Sequence, residues 1–159
     1  MSNNNIINVE ELAALHKPGE RLLGLDLGTK TIGVAVSDGM LSIASSLETI
    51  QRTKFSKDVE QLLVLAGKNK TCALVMGLPL NMDGSEGPRA QATRAFVRNL
   101  KRLTDLPVLF WDERLSTVAA ERVMIEADMS RKKRAAKIDA AAAAFILQGV
   151  LDRLKNIPK

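Results

Sequence analysis

Residues 22–37 read Leu22-Leu23-Gly24-Leu25-Asp26-Leu27-Gly28-Thr29-Lys30-Thr31-Ile32-Gly33-Val34-Ala35-Val36-Ser37, and the reading of this stretch decides the fold. The apolar run over about 22–27 has strand length, and the run over 31–37 is β-branched with glycine at its boundary. Gly28-Thr29-Lys30 leaves room only for a tight turn between them. Asp38-Gly39 is a further turn signal, leading to a weaker strand around 41–50, so the three strands form an antiparallel meander. One residue is out of place in this apolar setting. Asp26 ends the first strand, and a carboxylate buried there is costly unless something compensates it.

Beyond the meander the rhythm changes. Val59, Leu62, Leu63 and Ala66 recur at helical spacing over 56–68, and Ala73–Met76 is a short, wholly apolar strand of the kind covered on both faces. A loop over Gly77–Gly84 precedes a helix through about 89–104, with Phe96, Val97, Leu100 and Leu103 on one face. Pro107–Trp111 is the next strand. Ser116 or Thr117 caps a helix through about 128, and a last helix covers about 136–155. The order βββαβαβαα predicts an α/β fold with a mixed five-stranded sheet flanked by helices. Residues 1–20 read as a loose arm with a helical turn around Val9–Leu15, ahead of a single domain over 21–159.

The 159 residues contain 46% hydrophobic and 26% charged side chains, a soluble globular profile in which no apolar run approaches the ~20 residues of a membrane span. The N-terminus has no basic segment followed by an apolar stretch, and the single cysteine, Cys72, sits in an apolar strand as a small core residue. A cytoplasmic protein without membrane association is expected. Charge is unevenly placed. The net charge is +5, yet residues 131–159 hold eight basic groups against Asp139 and Asp152, leaving residues 1–130 slightly acidic. Such asymmetry beside a carboxylate suggests a polyanionic partner. With four Phe, one Trp and no Tyr, base stacking is poorly supported, and contact with the phosphate backbone is the expected mode.

Two more carboxylates keep similar company to Asp26. Glu113 ends Pro107-Val108-Leu109-Phe110-Trp111-Asp112-Glu113, and Asp139 stands early in the last helix among small residues that allow close approach to a sheet. Ligands of open α/β sheets gather at strand C-termini. Three acids converging there would raise one another's pKa unless a cation joined them. An all-oxygen donor set selects Mg²⁺ or Mn²⁺, the ions of phosphodiester hydrolysis. Taken singly, Asp26 caps a turn, Glu113 pairs with Arg114 and Asp139 caps a helix; taken together, the metal reading is stronger. Candidate phosphate contacts are Lys30 in the first turn, Asn81 in the Gly77–Gly84 loop, Arg114, Lys137, and a clamp formed by Arg131, Lys132, Lys133 and Arg134. Arg94, Arg98 and Lys101 line the outer face of their helix, which reads as a solvated face.

Four stretches in register carry a resemblance: Asp26–Ala35, Gly77–Gly84, Asp112–Thr117 and Lys137–Ala143. From about Leu22 to Leu154 the chain resembles the YqgF (RuvX) family. The resemblance implies a ribonuclease H-like fold and a nuclease processing the 5′ end of pre-16S ribosomal RNA in ribosome biogenesis, also described as a Holliday junction resolvase by analogy with RuvC. It implies Asp26, Glu113 and Asp139 as the catalytic, metal-holding triad, with Asp26 central. The expected partner is structured RNA, with branched DNA as the alternative, for a monomer or homodimer. Two further alternatives are a non-catalytic nucleic-acid-binding module and an actin-like or sugar-kinase ATPase. Intact acids at all three positions weigh against the first, and a length sufficient for only one lobe weighs against the second.

Overall fold

A computed structural model of the chain describes residues 5–115 and 131–157, with residues 131–139 as helical backbone. The expected hairpin forms β1 (Arg21–Leu27) and β2 (Thr31–Ser37), antiparallel from Leu23 opposite Val36 to Leu27 opposite Ile32. Its turn is closed by the Gly28 amide donating to the Thr31 carbonyl at 2.8 Å. β3 (Ala44–Gln51) adds antiparallel to β2. It starts later than the sequence suggested, because the Asp38 carboxylate accepts the amides of Met40, Ser42 and Ile43 and builds a wider loop.

Next come α2 (Phe55–Lys68), β4 (Thr71–Leu78), α3 (Pro88–Leu100), β5 (Val108–Asp112), a 3₁₀ turn over Glu113–Leu115, and a long helix, α4 (Arg131–Lys155). α3 is shorter than expected. Its last turn tightens, with Arg102 and Leu103 donating to the carbonyls of Asn99 and Leu100, and the chain then leaves for β5. α4 spans Arg131–Lys155, longer than expected, so the basic run Arg131–Arg134 is helical backbone. Lys, Arg and Ala are all good helix formers, which explains the extension. The helix expected over 116–128 lies outside the described residues.

The strand order is β3-β2-β1-β4-β5, with β1 parallel to β4 and β4 parallel to β5. Alternation along the central strands sorts their side chains. Leu23, Leu25, Leu74, Met76 and Val108 face the layer of α2 and α3. Leu22, Ala73, Val75, Leu109 and Trp111 face α4. α4 lies directly on β1: a Cβ at Gly24 would stand 2.7 Å from the Leu147 Cβ and 3.0 Å from the Ala143 carbonyl. Among the described residues, no helix is long and apolar enough to cross a membrane.

The N-terminal segment is not a loose arm. Val108 donates its amide to the Asn5 carbonyl at 2.7 Å, and Ile7 donates to the Val108 carbonyl at 2.9 Å, which extends the sheet edge. α1 (Val9–Leu15) follows, opened by a capping box in which Asn8 and Glu11 satisfy each other's amides. Leu12 is fully buried against the α4 side of the core.

Candidate active site

Asp26 lies on the same face of β1 as Leu22 and Gly24, so its carboxylate points to the α4 side of the sheet. It is 3% exposed. Leu109 and Trp111 share that face on β5, and Glu113, in the 3₁₀ turn that follows, reaches the same side, next to the Gly77 position that also meets Ile146 of α4. Glu113 is therefore one residue beyond the strand rather than its last residue. Strands β1 and β5 are not neighbours; β4 runs between them.

What lets two acids meet across an intervening strand is Gly77. It stands one position past the Leu25–Met76 pairing of β1 with β4, and so lies beside Asp26. A Cβ there would be 3.2 Å from the Glu113 Oε2, 3.3 Å from its Cγ and 2.5 Å from the Ile146 Cδ1. The Glu113 carboxylate thus occupies the space a side chain on β4 would fill, about one strand spacing (~4.8 Å) from β1. The sequence marks Gly77 only as the start of a loop, yet a glycine closing a wholly apolar strand is a recognised sign of close approach by another group.

Asp139 lies on α4 one turn before Ala143, whose carbonyl abuts Gly24. The helix runs opposite to β1: Gln148, further along it, accepts the Ala44 amide and donates to the Ser42 carbonyl, near the β2 end that pairs with the start of β1. The N-terminal turns of α4 therefore lead toward the Asp26 end of the strand. The side chains of Asp139, Lys137, Arg131, Lys132, Lys133 and Arg134 lie outside the described residues.

Arg114 has a structural partner that the sequence did not reveal. Its Nη2 donates to the Asp112 Oδ2 at 2.7 Å, its Nε reaches both Asp112 oxygens at 3.1 Å, and its Nη1 donates to the Met82 carbonyl at 3.2 Å. The anticipated pairing of Arg114 with Glu113 gives way to this fork, because a carboxylate two residues earlier offers bidentate geometry. The Arg114 hydrogen bonds hold the Asp112 carboxyl below its ordinary value, with partial burial opposing them. Arg114 thereby pins the loop after β4 to the turn that carries Glu113. Within that loop Asn81 donates to the Ser85 Oγ at 2.9 Å, and Ser85 donates to the Asp83 Oδ1 at 2.6 Å. Asn81 thus shapes the loop. Lys30 is exposed in the β1–β2 turn, which Arg52 braces through a 2.5 Å bond from its Nη1 to the Gly28 carbonyl.

The buried Asp26, the adjacent Glu113 and an all-oxygen donor set suit a hard divalent cation. Comparison with known proteins bears on the kind of site this is. The RuvX family, described as Holliday junction resolvase, matches residues 20–153. The chain belongs to the RuvX family. Relatives named "Putative pre-16S rRNA nuclease" include one from Rhizobium meliloti (strain 1021), 60% identical over 97% of this chain and 93% of its own length. Another, from Paracoccus denitrificans (strain Pd 1222), is 63% identical over 93% of this chain and 94% of its own. Among solved structures, T. thermophilus RuvC in complex with a Holliday junction substrate superposes with a TM-score of 0.55 at 14% identity, covering 86% of this RuvX chain and 97% of RuvC. A second Thermus thermophilus RuvC structure gives a TM-score of 0.51 over the same shares. At that identity the likeness speaks for the fold, which is ribonuclease H-like.

Proposed function

We propose that this RuvX-family chain is a divalent-cation-dependent endonuclease that hydrolyses phosphodiester bonds in structured RNA, processing the 5′ end of pre-16S rRNA in the cytoplasm. The observation that carries the reading is the seating of Glu113 over Gly77, beside the buried Asp26, on the face covered by α4. The names of the 60–63% identical relatives supply the substrate class.

In this reading Asp26, Glu113 and Asp139 hold Mg²⁺ or Mn²⁺. The bound cation would lower the pKa of the attacking water and offset charge on the leaving oxygen. The chain's own contribution is positional. β1 fixes Asp26 within the sheet, and Gly77 leaves the space into which Glu113 reaches. Arg114 acts as a positioning residue through Asp112 and the Met82 carbonyl. Lys30, Lys137 and the run Arg131, Lys132, Lys133 and Arg134 supply cations for backbone phosphates, and Asn81 orders the loop at the cleft's edge.

The test is to incubate purified protein with Mn²⁺ beside a pre-16S RNA fragment and a four-way DNA junction, in parallel with Asp26→Asn. Cleavage of the RNA by wild type is expected. The variant should remain folded and lose more than about 100-fold, beyond the 10–100-fold typical of changes around a metal's outer shell. Preferential cutting of the junction would reassign the substrate to branched DNA, and metal-dependent cleavage by Asp26→Asn would remove the mechanism. If wild type bound but cut neither nucleic acid, the chain would be a binding module.

A further inference from the structure

Arg94, Arg98 and Lys101 read in sequence as a solvated helix face, but in the fold they are grouped around a cavity. Together with Arg102 they line a cleft of about 460 Å³ where the end of α3 meets the N-terminal segment and Phe110 of β5. The cleft lies on the α2/α3 side of the sheet, opposite the face that carries Asp26 and Glu113. Arg94 is already engaged: its Nε donates to the Glu86 Oε1 at 2.8 Å, and its guanidinium stands 4.9 Å from the centre of the Phe110 ring. Among the described residues, Arg98, Lys101 and Arg102 have no ion-pair partner within salt-bridge distance.

Lys101 is the unusual member. Its Nζ is shielded from solvent and makes no hydrogen bond among the described residues. An ammonium carries three donors, and withdrawing them from water without acceptors is costly. Burial pushes the Lys101 pKa down, with the charge of Asp105 opposing the change. Among the described residues, Asp105 is the one carboxylate lining the cleft, set against four cations.

We infer that this cleft is a second binding site for phosphodiester backbone, seating a flank of the nucleic acid while Asp26 and Glu113 face the scissile region. The inference rests on nucleic acid being the substrate. Continuity between the two places supports it. Phe110 and Glu113 are three residues apart on one run of chain, roughly 10 Å at strand spacing. The loop between β4 and α3 joins them, held at Met82 by Arg114 on the active-site side and at Glu86 by Arg94 on the cleft side. A strand passing around the β5 edge would run by Arg94 and Arg114, which are paired with Glu86 and Asp112, before reaching Arg98, Lys101 and Arg102 in the cleft. The apolar wall of Val97 and Phe110 lowers the local dielectric, which strengthens each phosphate contact.

The experiment measures binding of a fluorescein-labelled single-stranded RNA without divalent cation, across about 50 to 200 mM salt. Wild type is compared with R98Q/R102Q, with K101M, and with K17Q/K68Q, which removes equal charge from exposed positions elsewhere. The double cleft variant should bind more weakly, with a log–log salt slope shallower by about 0.7 for each lost single-strand phosphate contact. K101M should also bind more weakly without a lower urea midpoint, because deleting an unpaired buried charge does not destabilise. An unchanged slope in both cleft variants, or an equal change in K17Q/K68Q, would overturn the site. Saturation of the cleft by inorganic phosphate with no effect on RNA binding would also overturn it, leaving a site for free anion. Mn²⁺-dependent cleavage is read on the same proteins: loss of cleavage in wild type with the slope effect intact would defeat the nuclease reading alone.

Discussion

Gly77 shows how much a single missing side chain can do. Any other residue would bring a Cβ within 2.5 Å of the Ile146 Cδ1 and 3.2 Å of the Glu113 Oε2. Gly77→Ala should therefore displace Glu113, cutting turnover at least tenfold while costing about 1–3 kcal/mol in urea denaturation, the range for overpacking. Retention of full turnover would mean that the position of Glu113 over β4 is not needed. Arg114 makes a different prediction, one of pH. Its hydrogen bonds depress the Asp112 pKa in the folded state, so their contribution is present above the unfolded value of about 3.9 and is lost as pH falls through the folded value. Wild type and Arg114→Gln should differ in urea midpoint at neutral pH and converge below about pH 4. A constant gap down to acid would show that Asp112 is not the partner that matters. The sequence displayed Asp26 and Glu113 openly, because each closes an apolar run. It hid the Asp112–Arg114 fork and the role of Gly77, since both depend on how β4 and its loop meet β5.

Among the elements, α1 forms at the expected Val9–Leu15, but its anchoring in the core was not expected. Its apolar residues are spread through a polar stretch, so nothing local signalled that Leu12 would be buried completely. The anchor is instead tertiary: backbone bonds to Val108 on one side, the α4 surface on the other, and an Arg153–Glu10 contact at 3.6 Å at the rim. Leu12→Ala should destabilise the protein by about 2–5 kcal/mol, as large-to-small changes in well-packed cores do, with urea denaturation as the measurement. A cost under about 0.5 kcal/mol, the usual surface value, would return the segment to the status of an arm. The strands were more legible. β1 and β2 appeared at nearly their sequence-derived limits, because central strands are buried on both faces and their apolar runs are continuous. β4 runs two residues past the expected Ala73–Met76 at each end, into the stretch read as a loop. β3, an edge strand with four consecutive exposed residues, carries little such signal and was placed less well.

At the scale of the whole molecule, charge and topology divide the surface. The positive excess is in residues 131–159, and α4 brings its N-terminal turns toward the strand ends that carry the acids. RNA binding should therefore weaken steeply with salt. Lys132→Gln with Lys133→Gln should flatten the log–log slope by about 0.7–0.9 for each phosphate contact removed, measured by fluorescence anisotropy. An unchanged slope would take the basic run out of the interface. The charge count was visible in the sequence. The gathering of Arg98, Lys101 and Arg102 around a cleft was not, because its other walls come from residues 5–6 and 110.

The position of α4 in the chain has a consequence for synthesis. All five strands precede this helix, which packs over Leu22, Val75, Leu109 and the face bearing Asp26 and Glu113. A nascent chain emerges N-terminus first. Until the last turns of α4 have cleared the ribosome, that face stays open, and Asp139 is too far along the chain to have reached it. In the proposed mechanism, a chain built in this order acquires its third acid only after its whole sheet has been made.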